Sequence, residues 1–166
     1  MKKILLTIAL ILLIPALSYG AAGVCTQSAS EFSGGFVKIT FVCTGSTVDG
    51  SIPDTALSTA NLALVEGTHY LYRVTTYPTS GGTAPDAADV FVLDSAGQDL
   101  LGSVDGGTTA NKGLNLIHAT LTKSAFPYEP TMGTFYTAPV NGSLTLKVSN
   151  QATISANYTI EMIFSR

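Results

Sequence analysis

The chain has no tryptophan, only two histidines and two cysteines, and few charges: 11% of its 166 residues are Asp, Glu, Lys or Arg. The shortages of charge and of histidine each remove a class of function. Without a stripe of Lys and Arg to neutralise phosphates, nucleic acid is not an expected partner. His69 and His118 alone cannot complete a zinc site. Ser33-Gly34-Gly35 and Ser80-Gly81-Gly82 lack the Gly-Asp that precedes a serine-protease nucleophile of that type. There is also no Gly-x-Ser-x-Gly elbow, phosphate-binding loop or paired-glutamate arrangement. The sequence therefore reads as non-enzymatic and without a cofactor. Beyond residue 20 no apolar run approaches the roughly 20 residues that a membrane helix needs, so the processed chain is expected to have no membrane span.

What is present begins with the N-terminus. Lys2 and Lys3 precede an apolar run from Ile4 to Ile14, interrupted only by Thr7, and Pro15 and small residues follow. This is the pattern of a secretory signal peptide over residues 1–20, with cleavage after Gly20 or after Ala22. Either site leaves about 145 residues (21–166), a single-domain length. The processed chain keeps six basic against eleven acidic side chains, a net charge of −5. It is expected to be exported, whether to the periplasm, the cell surface or the medium. Val24 before Cys25 stands where a lipoprotein would have a small residue, which argues against a lipid anchor.

Export puts Cys25 and Cys43 where a disulfide persists, and two cysteines allow one pairing. A closed loop of about 19 residues stabilises by roughly 3 kcal/mol in the chain-entropy picture. The bridge reads as structural, tying the start of the processed chain to its first strand.

The hydrophobic pattern has the period of strands. Ile154, Ala156, Tyr158, Ile160, Met162 and Phe164 alternate with mostly polar residues, which only a strand resolves into two faces. Leu144, Leu146 and Val148 alternate likewise after the turn signal Asn141-Gly142, and the two runs are expected to form a hairpin across 150–153. Val37, Ile39, Phe41 and Cys43 share a face of the first strand. Further strands are expected at 70–77, with Tyr70, Tyr72 and Val74 on one side, and at 89–93, 100–104 and 114–121. Prolines mark the breaks between them. Residues 55–66 have the spacing of a short helix, weakened by Ser58, Thr59 and Asn61. Together these features predict an all-β fold: a single antiparallel β-sandwich of about seven to nine strands.

Two segments invite a functional reading. Phe126, Tyr128, Phe135 and Tyr136 crowd a proline-rich stretch that is either a lid over the core or an interaction surface. Asp86, Asp89, Asp94, Asp99 and Asp105 cluster at spacings of three, five, five and six. Calcium loops alternate their ligands more closely, so Asp94 and Asp99 read first as the ends of a turn and second as weak calcium candidates.

The order of several segments carries a resemblance. They are Phe41-Val42-Cys43-Thr44, Gly50-Ser51-Ile52-Pro53-Asp54-Thr55, Tyr72-Arg73-Val74-Thr75-Thr76-Tyr77-Pro78, Thr83-Ala84-Pro85, the run from Asp89-Val90-Phe91-Val92-Leu93-Asp94 to Gly102, and Pro139-Val140-Asn141-Gly142-Ser143 continuing to Asn150. Over roughly residues 41–150 this order resembles small uncharacterised structural-type β-sandwich proteins of tailed bacteriophages. The resemblance implies a structural or decorating role in a virion and brings no catalytic residues. The chain departs from that group in its leader and cysteine pair, which point to export. The function expected is thus a phage-related, surface-decorating β-sandwich that associates with itself or with another structural or surface protein. The alternative is an exported adhesin-like domain binding a glycan or a cell surface through Tyr128, Phe135 and Tyr136.

Overall fold

The computed structural model describes residues 20–78, 81–102, 114–129 and 133–166. Residues 1–19 of the expected leader, Ser80 and Asp105 therefore lie outside the described residues.

The chain is an antiparallel β-sandwich. Its elements are β1 (Val24–Phe32), β2 (Phe36–Thr44), β3 (Thr55–Ala56), α1 (Thr59–Ala63), β4 (Tyr70–Pro78), β5 (Ala88–Leu93), β6 (Leu114–Ile117), β7 (Lys123–Ala125), β8 (Tyr128–Glu129), β9 (Thr134–Phe135), β10 (Ala138–Pro139), β11 (Thr145–Ser149) and β12 (Asn157–Ser165). Seven of the strands have four residues or more. One sheet runs β1-β2-β12-β4-β10, with β7 also on β4; the other runs β3-β11-β5-β6; β8 and β9 form a small hairpin.

Alternation produces the core. In β12, Tyr158, Ile160, Met162 and Phe164 are wholly buried, as are Ile39, Phe41 and Cys43 of β2 beside them. They meet Val90 and Val92 of β5, Leu146 of β11 and Ile117 of β6 from the second sheet in one continuous apolar cluster. Burying such side chains contributes about 1.5–3 kcal/mol each, which holds the sheets face to face. The sheets are also joined by polar groups: the hydroxyl of buried Thr76 donates to the Leu116 carbonyl.

Five local expectations change, besides the strand expected at 114–121, which ends at Ile117. The strand at Phe36 is the second, not the first, because Val24–Phe32 pairs with it at nine consecutive positions. The runs before and after 150–153 form no hairpin. β11 lies in one sheet and β12 in the other, and the chain crosses between them through Asn150 and Ser155, both at positive φ. The run at 100–104 is not a strand where it is described, since Leu100 and Leu101 lie in a turn beyond an isolated bridge between Leu93 and Asp99. The helix shrinks to Thr59–Ala63 behind its Ser58 cap, and Thr55–Ala56 pairs with β11 instead.

The fifth change bears on function. A bulge in β4 breaks the alternation: Arg73 pairs with Ile163 but Leu71 pairs with Phe164, so Tyr72 is an extra residue. Leu71 and Val74 are buried, while Tyr70 and Tyr72 are exposed. Tyr72 and Val74 therefore do not share a face.

Candidate functional site

The bulge delivers Tyr72 to a line of aromatic rings at one end of the six-stranded sheet. Phe36 starts β2 and meets Tyr72 at 6.4 Å between ring centroids; Tyr72 meets Phe126 at 5.6 Å, and Phe126 meets Phe135 at 6.1 Å. Tyr128 closes the line on Phe135 at 5.4 Å. Every contact is edge to face, the arrangement that the ring quadrupole favours. The β8–β9 hairpin holds the far end, pairing Tyr128 directly with Phe135. The Tyr136 amide donates to the Pro127 carbonyl at 3.2 Å, which fixes the segment after the hairpin.

Tyr72, Phe126, Phe135, Tyr136 and Thr137 line a groove of about 500 Å³. It is an open surface groove rather than an enclosed cavity, so a ligand would lie along it with one side in water. Their rings remain open to solvent, Tyr136 at 37% exposure and Phe135 at 73%. Of the aromatics singled out in the sequence, Phe126, Phe135 and Tyr136 line this groove, and Tyr128 supports it from behind Phe135. Sequence reasoning missed Phe36 and Tyr72: Phe36 gave no signal, and a strict strand alternation concealed Tyr72.

Beside the aromatic line, the outer face of the same sheet carries a polar cluster. Lys38 Nζ donates to Glu161 Oε1 at 2.9 Å, and the Tyr77 hydroxyl donates to Glu161 Oε2 at 3.1 Å. Burial, followed by the charge of Glu161, raises the Tyr77 pKa above its ordinary value.

The acidic segment forms a turn. Asp94 Oδ1 accepts from the amides of Ala96 and Gln98 at 2.9 and 2.8 Å, and Gly97 takes the positive φ that the turn needs. Asp99 Oδ1 accepts from the amides of Val92 and Leu101. His69 is buried with Nδ1 2.8 Å from the Thr68 hydroxyl, and His118 Nδ1 accepts from the Thr120 amide. Among the described residues, no three His, Cys, Asp or Glu side chains come together as a metal site would require.

The Cys25–Cys43 disulfide is formed and joins directly paired positions of β1 and β2. It lies at the opposite end of β2 from Phe36, so it secures the sheet without touching the groove. No helix among the described residues is long and apolar enough to cross a membrane. No protein-family model, curated protein or solved structure matches this chain.

Proposed function

We propose that this chain is an exported, non-enzymatic β-sandwich that decorates a surface and binds a glycan there through its aromatic groove. The observation that carries the reading is the line from Phe36 to Phe135, whose rings are ordered by one another and by Tyr128 while remaining exposed. An apolar patch of this kind, with Thr137 and the tyrosine hydroxyls in its lining, suits a ligand with apolar C–H faces and hydroxyl edges. A sugar ring has both. The low charge of the chain supports an uncharged ligand over an ionic one. The disulfide supports an oxidising location and hence export. The resemblance to phage structural proteins supports the decorating role, with the virion as one carrier.

The test is a glycan array followed by calorimetric titration of the best ligand, using the wild type, Phe135→Ala and Tyr136→Ala. Each substitution is expected to weaken binding at least about fivefold, equivalent to roughly 1 kcal/mol, with the melting midpoint nearly unchanged. Retained affinity in both variants, or no glycan ligand at all, would end this reading.

A further inference from the structure

We infer that β1 pairs edge to edge with β1 of a second copy of this chain, antiparallel about a two-fold axis at Ser28. The inference does not depend on the glycan reading.

Three of the four lateral edges of the two main sheets are blunted. On one side of the six-stranded sheet, β10 has two residues including Pro139, and β7 has three including Lys123. In the other sheet β3 has two residues shortly after Pro53, and β6 has four and joins β5 through a register shift. Short strands, Pro, Lys and irregular pairing are the usual means of preventing edge association. β1 has none of them. It runs nine residues without a register shift, contains no Pro or Lys, and carries one charge, Glu31.

The register of its free side follows from the disulfide position. Cys25 and Cys43 have Cα atoms 4.0 Å apart, the close spacing of a pair that exchanges no backbone hydrogen bonds. The N–H and C=O groups of Cys25, Gln27, Ala29 and Glu31 therefore point away from β2. Among the described residues, no hydrogen bond reaches those groups. A second β1 centred on Ser28 sets Cys25 against Glu31 and Gln27 against Ala29, twice each, so that every outward group is paired.

The exposed face agrees with the same register. Val24 falls opposite Phe32 of the second copy, Thr26 opposite its Ser30, and Ser28 opposite its Ser28. Val24 and Phe32 are 53% and 52% exposed in the single chain. Apolar thus meets apolar at both ends, hydroxyl meets hydroxyl between them, and Glu31 never faces itself. Such self-complementarity is what an isologous interface requires. The two aromatic lines then lie on one face of a continuous sheet, so that two weak groove contacts act together on a multivalent surface.

The test measures mass by light scattering and sedimentation on the oxidised, processed chain. The wild type is expected to be a dimer. Ser28→Lys places like charges opposite each other on the axis and should weaken association at least tenfold. The pair Thr26→Lys with Ser30→Lys should also give monomers, whereas Thr26→Lys with Ser30→Glu should keep the dimer through two cross-strand ion pairs. That rescue separates edge pairing from a folding defect, and melting curves check folding independently. Phe135→Ala should leave the mass unchanged, which distinguishes this interface from the groove. A wild type that stays monomeric at its highest soluble concentration, or a dimer indifferent to both like-charge variants, would overturn the inference.

Discussion

Tyr72, the residue that the β4 bulge adds, presents its ring to Phe126 edge to face at 5.6 Å. The contact joins the rigid sheet to the loop that supplies the rest of the groove, so Tyr72 should act on ligand binding by holding Phe126 in place. Tyr72→Phe keeps the ring and is expected to keep both fold and affinity. Tyr72→Ala should cost about 0.5–1.5 kcal/mol of aromatic pairing, with some further loss from burial, and should loosen Phe126. Titration of a groove ligand against the three proteins checks this. Equal affinity of the alanine and phenylalanine variants would show that Phe126 is held from elsewhere.

The bulge also marks the limit of what could be read from the chain. β2 and β12 were legible because both are central strands with large apolar residues at every second position. β1 was not, because at an edge its inward residues are Cys25, Gln27 and Ala29, small or polar and only half-buried. Gln27 faces inward because its amide donates to the Ala56 carbonyl and accepts from the Ser58 amide and Asn61, clamping β1 to the start of α1. Periodicity identified β11 and β12 as strands, but it carries no information on which sheet each joins. Three of the groove residues were visible as an aromatic cluster. Phe36 and Tyr72 required the pairing of distant strands and a register shift, neither of which leaves a local trace.

The disulfide permits a direct stability test. Replacing Cys25 and Cys43 together by alanine should cost roughly 3 kcal/mol, as expected for a closed loop of about 19 residues. At roughly 2–4 °C per kcal/mol the melting midpoint should fall by about 10 °C. Groove affinity below that midpoint should be unchanged, because the bridge and Phe36 occupy opposite ends of β2. Calorimetry of the oxidised, reduced and double-alanine proteins measures the loss, and reduced wild type should match the variant.

The Asp94–Asp99 turn separates a structural from a metal-binding use of the same carboxylates. Each places Oδ1 between two amides, so Asp94→Ala leaves the Ala96 and Gln98 N–H groups without their acceptor. A cost of about 1–2 kcal/mol is expected, since hydrogen bonds to a charged group contribute more than neutral ones. Calcium should leave the wild-type melting midpoint where it is. A calcium-dependent rise that disappears in Asp94→Ala would instead assign the turn to the metal, because specific binding to the folded state must stabilise it.

Tyr158 yields the clearest dependence on pH. It is wholly buried in β12, between Cys43 of β2 and Pro78 of β4, and its hydroxyl has no partner among the described residues. Burial raises its pKa well above the ordinary 10.0, and the negative charge of Asp86 raises it further. The unfolded chain ionises Tyr158 near the ordinary value while the folded chain keeps the proton. Its contribution to stability is therefore complete below pH 10 and is lost progressively as pH rises beyond it. Tyr158→Phe removes both the titration and an unpaired buried hydroxyl, whose desolvation costs about 1–3 kcal/mol. At neutral pH the variant should equal or exceed the wild type. Above about pH 10 its advantage should widen. Urea midpoints for the two proteins at about pH 8 and about pH 11 measure this, and their difference cancels the lysines and Tyr77, which are common to both. A constant difference across that range would mean that the Tyr158 hydroxyl reaches water.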